Sequence, residues 1–208
     1  MRQERDVLRL IARAPMRTVR AADLAGLYAY PGPQLAILER RGVVCRVAHG
    51  FYCAVPAEYV GASWRPTVEA AAAGVATAIY GERVPVLTGL TAARVHHELP
   101  RAIGVGFVAV PSQRRPLPLA GRDGQIRFVR RAVTELDAVA VMTELGQALA
   151  TTPEQTVLDL ARLDPRGEDP DAQEAIGALW RRCDPDRVRA IAGRQRMKAT
   201  YARVAAGR

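Results

Sequence analysis

The chain lacks the long apolar segments that place a protein in or across a membrane. None of its 208 residues belongs to an apolar run of about 20 residues, the length that a spanning helix needs. The N-terminal Met-Arg-Gln-Glu-Arg-Asp has no apolar stretch like that of a secretory signal. We therefore expect a cytoplasmic protein without a membrane partner.

Residues that commonly carry catalysis or bind metal ions are also scarce. The chain has three cysteines without a Cys-x-x-Cys pair, so zinc-ligand spacing is missing. Lys198 is the sole lysine, with no acidic pair close before it and no phosphate-binding Gly-Lys-Ser/Thr sequence. His96 and His97 are adjacent, whereas two zinc ligands on a helix are spaced i, i+4. We predict no catalytic residues, no metal and no cofactor, and hence a protein that is not an enzyme.

Arginine supplies nearly all of the positive charge. It accounts for 29 of the 30 basic residues, and the net charge is +9. Residues 1–62 carry +4, residues 63–180 carry −2, and residues 181–208 carry +7. Positive charge at both ends indicates an acidic partner such as nucleic acid. A GC-rich genome is the alternative explanation for most of the total bias, because arginine and alanine codons are GC-rich.

Residues 1–60 have the pattern of three short helices followed by a two-stranded hairpin. Helical spacing of apolar residues predicts a first helix that ends at Pro15. Thr18 is a candidate N-cap of a second helix. The Tyr-Pro-Gly-Pro sequence at 30–33 predicts a turn, because prolines and glycine disfavour a helix interior. A third helix is then expected over 33–41.

Alternating apolar residues over 43–55 predict the hairpin, with Ala48-His49-Gly50 as its turn. In this register Cys45 and Cys53 lie opposite each other on the inward face, with Arg46 and Tyr52 on the other face. One interpretation of the cysteine pair is a redox switch. The other is two small buried hydrophobic residues, which we favour because cytosolic thiols are normally reduced.

This module predicts a winged helix-turn-helix that binds DNA. In a helix-turn-helix, the second helix of the turn enters the major groove, and here that helix is 33–41. Gln34 matches adenine and Arg41 matches guanine through paired hydrogen bonds, while the other polar residues suit phosphates. The alternative is a protein-interaction module whose arginines are merely solvated. The predicted DNA-binding residues are Arg17, Thr18, Arg20, Gln34, Arg40, Arg41, Arg46 and His49.

Residues 61–208 have the pattern of a mixed α/β domain with a helical C-terminus, so the predicted class of the whole chain is α+β. Thr152 and Pro153 are a typical start of a helix, and 84–87 has the pattern of a short edge strand. The predicted helices cover 67–79, 88–98, 153–163, 171–182 and 185–206. The predicted strands cover 84–87, 105–110, 126–130, 139–142 and 148–150.

The basic C-terminal segment is a candidate partner-binding surface. Val188, Ile191 and Ala192 form a narrow apolar stripe, which predicts a helix that docks by one face and leaves a charged face in water. Gly193 is a candidate hinge. A solubilising surface helix is the alternative to an acidic partner. The candidate partner-binding residues are Arg181, Arg182, Arg187, Arg189, Arg194, Arg196 and Lys198.

The order and spacing of several segments over residues 5–165 resemble the AbiEi family, the antitoxins of type IV toxin–antitoxin systems from phage-defence loci. One departure is His97, where the family pattern has glycine. The matching segments are Thr18-Val-Arg-Ala-Ala-Asp-Leu-Ala25, Gln34-Leu-Ala-Ile-Leu-Glu-Arg-Arg-Gly42, Arg46-Val-Ala-His-Gly-Phe-Tyr52, Leu87-Thr-Gly-Leu-Thr-Ala-Ala-Arg-Val-His-His97, Phe107-Val-Ala-Val-Pro111 and Ala150-Thr-Thr-Pro-Glu-Gln-Thr-Val-Leu-Asp-Leu-Ala161.

This resemblance implies two partners and a function. The partners are promoter DNA, bound at inverted repeats in the chain's own operon, and a cognate nucleotidyltransferase toxin that the antitoxin neutralises. It also implies that residues 1–60 bind DNA and that 61–208 neutralise the toxin. The residues alone leave two alternatives open: a one-component transcription regulator with a ligand-sensing or oligomerisation domain, and an enzyme with an unrecognised active site.

Overall fold

The computed structural model describes residues 2–207, and they form a mixed α+β fold, which confirms the predicted class. The α-helices are α1 Arg2–Arg13, α2 Pro31–Arg40, α3 Val68–Tyr80, α4 Gly89–Val95, α5 Pro153–Leu163, α6 Pro170–Trp180, α7 Pro185–Arg194 and α8 Lys198–Ala206. The strands are β1 Thr18–Arg20, β2 Val44–Ala48, β3 Phe51–Ala54, β4 Val86–Leu87, β5 Val105–Val110, β6 Leu117–Pro118, β7 Gln125–Arg130, β8 Ala138–Thr143 and β9 Gly146–Thr151.

The N-terminal sheet has three strands in the order β1-β3-β2, rather than the two strands predicted. Met16 and Arg17 take left-handed φ values of 54° and 45°, which turn the chain away from α1. Thr18 then pairs with Cys53 in an antiparallel ladder. The predicted second helix with Thr18 as its N-cap is therefore wrong, and a four-residue 3₁₀ turn at Ala21–Leu24 takes its place.

The hairpin and α2 lie close to their predicted positions. Cys45 pairs with Cys53 and Arg46 with Tyr52, so the predicted register is confirmed. Helix α2 begins at Pro31, two residues earlier than predicted. The predicted turn at 30–33 is wrong because the first turn of a helix tolerates proline, whose missing N–H would have no intrahelical partner there.

The larger sheet has six strands in the order β6-β7-β5-β4-β9-β8. Strand β4 pairs parallel with β9, and β5 pairs parallel with β7, while the other neighbours are antiparallel. The prediction of an edge strand at 84–87 is wrong, since β4 lies between β5 and β9 and both of its side chains are buried. Strand β8 occupies one edge of the sheet and the two-residue β6 the other.

Helix α3 lies between the two sheets and contacts strands of both. It begins at Val68, one residue later than predicted, and the side chain of its N-cap Thr67 accepts a hydrogen bond from the N–H of Ala70. Small residues let the strands approach it closely. A Cβ atom at Gly74 would lie 2.5 Å from the Thr18 hydroxyl oxygen, and one at Gly106 would lie 2.8 Å from the Cβ of Ala72.

One buried cluster joins the N-terminal sheet to the rest of the chain. Cys45, Val47, Phe51 and Cys53 extend from one face of that sheet into a core that also contains the alanines of α3 and residues of β4, β5, β7 and β9. The opposite face packs against α1 and α2. Both faces of the three-stranded sheet are therefore covered: α1 and α2 cover one face, and the core around α3 covers the other. The residues of the second cluster include Val7, Ile11, Val19, Leu24, Leu35, Leu38, Val44 and Tyr52.

The C-terminal segment forms two helices, so the predicted single helix over 185–206 is wrong. The break lies at Gln195–Met197, where Arg196 takes a left-handed φ of 58°. Gly193 lies inside α7 with no positive φ, so the bend is not at the predicted hinge. The predicted apolar stripe is confirmed, because Val188, Ile191 and Ala192 are buried against α5.

Candidate nucleic-acid interface

The outward face of α2 presents three of the predicted DNA-binding residues. Leu35 and Leu38 are buried, which directs Gln34 and Arg40 to the surface on other faces of the helix. Arg41 follows directly as the C-terminal cap and is also exposed. Amide and guanidinium groups can offer paired hydrogen bonds to base edges or phosphates.

Arg41 is engaged by a carboxylate within the fold. Its Nη1 forms an ion pair with Glu4 of α1, and about half of the Arg41 side chain is exposed. An exposed ion pair contributes only about 0–1 kcal/mol. A ligand can therefore displace Glu4 from Arg41 at little cost in free energy.

Arg46 and His49 meet at the tip of the hairpin. The Arg46 Nη2 lies 3.0 Å from the His49 Nδ1, and the Nε of Arg46 is buried without a hydrogen-bond partner among the described residues. Burial raises the pKa of the neighbouring Tyr52, and the charge of Arg46 partly opposes that effect. The tip thus presents a partly buried guanidinium beside an exposed imidazole.

Arg20 lies beside this tip, because the N–H of Ala21 donates to the carbonyl of Gly50 at 2.8 Å. The Arg20 guanidinium pairs with Asp23 at 2.7 Å, and that hydrogen bond raises the pKa of Arg20. Arg17 is exposed and precedes β1.

Thr18 does not belong to the interface, which corrects the prediction. Its side chain is buried, and its hydroxyl donates to the carbonyl of Met16 at 2.7 Å. The reason is the strand pairing of β1, which turns this side chain toward α3 instead of placing it at the start of an exposed helix.

Two arginines that the sequence analysis missed lie beside Arg46. Arg65 and Arg122 line a narrow crevice together with Cys45, Arg46 and Ala120. They come from the segment before α3 and from the loop between β6 and β7. No local motif marks Arg65 and Arg122 as site residues. They are far apart in sequence, and only the tertiary fold brings both of them next to β2.

The C-terminal arginines fall into two groups. Arg182 pairs with Glu98, Arg187 with Asp137 and Arg189 with Asp186. Glu98 and Asp137 come from outside the C-terminal segment, so the predicted surface carries less unpaired charge than the composition of that segment suggested. The exposed residues of the predicted set without an ion pair in the described part of the chain are Arg181, Arg194, Arg196 and Lys198.

A buried polar network surrounds the carboxylate of Asp159. Asp159 accepts hydrogen bonds from Thr88 at 2.9 Å, Arg131 at 2.8 Å and Gln155 at 3.1 Å. Gln155 also contacts Gln195, which ties the end of α7 to α5. These partners occupy the carboxylate, so the network stabilises the packing of the helices on the sheet.

The His96-His97-Glu98 sequence diverges in space. The Nε2 of His96 lies 2.7 Å from the carbonyl oxygen of Thr151, and Glu98 pairs with Arg182. His97 takes a left-handed φ of 63°, a conformation that favours glycine. Among residues 2–207, no group of three potential ligands is arranged to hold a metal ion.

The comparisons with known proteins concern the fold alone. No family profile matches the chain, and no curated protein matches its sequence. The structure is similar to the crystal structure of the RV2827C protein from Mycobacterium tuberculosis, with a TM-score of 0.57 and 16% sequence identity. The match covers 97% of this chain and 78% of that protein. Across residues 2–207, no helix combines the length and the apolar character needed to cross a membrane.

Proposed function

We propose that this protein is a DNA-binding antitoxin of the AbiEi type, which represses its own operon and neutralises a nucleotidyltransferase toxin. The observation that carries the DNA-binding part is the exposed face of α2 with Gln34, Arg40 and Arg41, next to the basic hairpin tip. In this proposal residues 1–60 act as a winged helix-turn-helix.

The proposed division of labour follows the chemistry of each side chain. Helix α2 enters the major groove, where Gln34 pairs with adenine and Arg41 leaves Glu4 to pair with guanine. Arg46 and His49 contact phosphates and fix the position of the hairpin along the duplex. The preceding helical element is only the 3₁₀ turn at Ala21–Leu24, so contacts to the backbone fall mainly to the hairpin.

The antitoxin part of the proposal depends on the resemblance of the matching segments. The conformation of His97 supports it, since the family pattern has glycine at this position and the backbone here is left-handed. The buried network supports it too: Thr151, Thr152, Gln155, Thr156 and Asp159 of the 150–161 segment all make buried or half-buried hydrogen bonds that position α5. In the proposal, residues 61–208 neutralise the toxin without side-chain catalysis.

A one-component regulator is the second candidate function, and one observation favours it. A cavity of about 320 Å³ lies between Met16, α3 and the six-stranded sheet. Its lining includes Leu87 and Val108, with Glu82 and Arg83 also in the wall. A small amphipathic ligand there would touch both the N-terminal part and the sheet, which is the arrangement that a ligand-sensing regulator needs.

The experiment has a DNA arm and a toxin arm. In mobility-shift titrations against its own promoter, Arg41→Gln should relax specificity and weaken binding by about 1–3 kcal/mol if Arg41 pairs with guanine. Arg46→Gln should weaken binding to promoter and random DNA alike and reduce the salt dependence. Equal affinity of the unmodified protein for promoter and random DNA would contradict specific binding.

In the toxin arm, the full chain is co-expressed with the nucleotidyltransferase encoded next to it, and growth is measured. Restored growth supports the antitoxin. Specific promoter binding without rescue, or the absence of such a neighbouring gene, favours the regulator instead. His96→Ala combined with His97→Ala serves as the control for catalysis: rescue should persist wherever the variant remains folded.

A further inference from the structure

Strand β8 forms one edge of the six-stranded sheet and has none of the features that usually protect an edge. Its residues, Ala138–Thr143, include no charged side chain and no proline. Val139 is 42% exposed and Met142 is 75% exposed. Edge strands of soluble proteins are normally short, charged or covered, because their unpaired backbone groups can bind another strand. The edge of β8 is therefore open to pairing with an extended chain.

The backbone groups of β8 point alternately to the sheet and to the open side. The N–H of Thr152 donates to the carbonyl of Asp137 at 2.9 Å, so the backbone of Asp137 faces β9. Because this pattern repeats at every second residue of an antiparallel ladder, Val139 and Val141 also bond to β9. Among residues 2–207, no strand pairs with the other side of β8. The residues whose N–H and C=O groups point to that open side are Ala138, Ala140 and Met142.

The other sheet edges of the described chain are short or occupied. At the opposite edge of the same sheet, β6 has two residues, and one of them is Pro118. In the N-terminal sheet, β1 has three residues. The outer side of β2 is occupied, since the carbonyl of Val47 accepts a hydrogen bond from the N–H of Ala120. Within residues 2–207, β8 is therefore the longest open edge, and the β8 of a second copy is an edge of matching length.

A second β8 fits this edge in an antiparallel register that uses all of the outward-facing residues. With a twofold axis at Ala140, this residue lies opposite its own counterpart, and Ala138 lies opposite Met142. Each of these pairs can exchange two backbone hydrogen bonds across the axis. Val139 of one copy then lies opposite Val141 of the other, and β-branched side chains pack well across antiparallel strands. No like charges face each other in this register.

The charge around β8 does not oppose contact between two copies. The whole chain carries +9, but residues 63–180, which include β8, carry −2. Arg187 lies beside the start of β8, where it pairs with Asp137 at 2.8 Å. Many edge strands carry a lysine that keeps other chains away, and β8 has none.

We propose that two copies of this protein pair through β8, antiparallel about a twofold axis at Ala140, so that their six-stranded sheets become one continuous sheet. The contact is isologous, since the same strand is used by both copies. An interface formed by one pair of strands lies at the small end of protein interfaces, so pairing should be reversible and depend on protein concentration. The inference goes beyond the proposed function and holds whether or not the chain binds DNA.

The test introduces charges at the twofold axis. Sedimentation equilibrium of the unmodified chain should show a reversible equilibrium between monomer and dimer. Ala140→Lys and Ala140→Glu each place like charges directly opposite each other, so each variant should be monomeric at concentrations where the unmodified protein is dimeric. An equimolar mixture of the two variants should form dimers again, because opposite charges then face each other.

A matched control introduces the same charge elsewhere. Leu163→Lys replaces an apolar side chain of α5 that is 58% exposed, and it should keep the monomer–dimer equilibrium of the unmodified protein. The two variants at Ala140 should keep the circular dichroism spectrum of the unmodified protein, since this position is exposed.

Hydrogen exchange of the unmodified protein tests the register without any substitution. When the protein concentration is raised, the amides of Ala138, Ala140 and Met142 should exchange more slowly, because they become bonded across the axis. The amides of Val139 and Val141 are already bonded to β9, so their exchange should not depend on concentration.

Several results would overturn the proposal. One is a protein that stays monomeric up to its solubility limit. Another is a dimer that both Ala140 variants leave intact, because the contact would then lie on a different surface. Dissociation of both variants without recovery in the mixture would reject the twofold axis at Ala140, as would exchange rates at Ala138, Ala140 and Met142 that do not depend on concentration.

Discussion

At the scale of single residues, the three thiols have different surroundings. A hydrogen bond with Cys53 lowers the pKa of Cys45, against the effect of burial, and the charges of Arg65 and Arg122 lower it further. Burial, and next the charge of Glu154, raise the pKa of Cys183 to about 12. Cys183 thus stays protonated in the folded protein at a pH where an exposed thiol would ionise.

This shift gives Cys183 an effect on alkaline stability. In the unfolded chain the thiol ionises near its ordinary pKa of about 9, whereas the folded protein keeps the proton up to about 12. The stabilisation is therefore fully present below pH 9 and is lost as the pH rises toward 12. We expect the urea midpoint of the unmodified protein to fall more between pH 8 and 10.5 than that of Cys183→Ala. Equal falls in the two proteins would contradict this account.

The site residues that could be predicted from the sequence are those whose exposure follows helical periodicity. Gln34, Arg40 and Arg41 lie outward because Leu35 and Leu38 must lie inward. Thr18 was misplaced because its type suits both a helix cap and a strand, and pairing with Cys53 decides for the strand. A contact between residues as far apart in the chain as Thr18 and Cys53 leaves no local pattern in a single sequence.

At the scale of elements, α3 depends on a glycine where a helix would normally prefer alanine. Gly74 lies in the helix interior, directly against the buried Thr18 of β1. Glycine usually costs a helix roughly 1 kcal/mol relative to alanine. Here that cost is offset by the close approach of β1 to α3.

We therefore expect Gly74→Ala to destabilise the protein by about 1–3 kcal/mol, as overpacking does in other cores. The matched control is Gly193→Ala in α7, where no heavy atom lies within 4 Å of the added Cβ. That change should stabilise the protein by up to roughly 1 kcal/mol. Urea unfolding of both variants measures the difference. A stabilising Gly74→Ala would show that β1 does not constrain α3.

Helices and strands with a clear sequence pattern could be predicted, whereas very short elements could not. Strand β5 and helix α5 were predicted at their observed bounds because each has a continuous pattern and clear ends. Strand β4 has two residues, so its central position depends on pairing with β5 and β9. The break before α8 also had no signal, since Arg196 is not a residue that favours a left-handed backbone.

At the scale of the whole molecule, the shared core links the proposed DNA-binding part to the proposed toxin-neutralising part. Phe51 and Cys53 of the small sheet lie in the same buried cluster as Ala73 of α3 and Val108 of β5. Removing residues 1–62 would expose this surface of α3. The rescue experiment therefore uses the full chain with point substitutions, since a truncated chain would confuse lost function with lost folding.

The shared core predicts that both parts unfold in one transition. Phe51→Ala should destabilise the whole chain by about 3–5 kcal/mol, the usual cost of removing a buried phenylalanine. Trp64 reports on the segment before α3 and Trp180 on the C-terminal helices, so each can be followed separately in a variant that lacks the other.

Val139→Ala on the exposed side of β8 is the control and should shift neither signal by more than about 0.5 kcal/mol. In Phe51→Ala the urea midpoints of both tryptophans should fall together, because the cavity lies in a core that both parts share. If only the Trp64 signal shifts while the Trp180 midpoint stays in place, the N-terminal part unfolds by itself. The core contacts across α3 would then not couple the two parts of the chain.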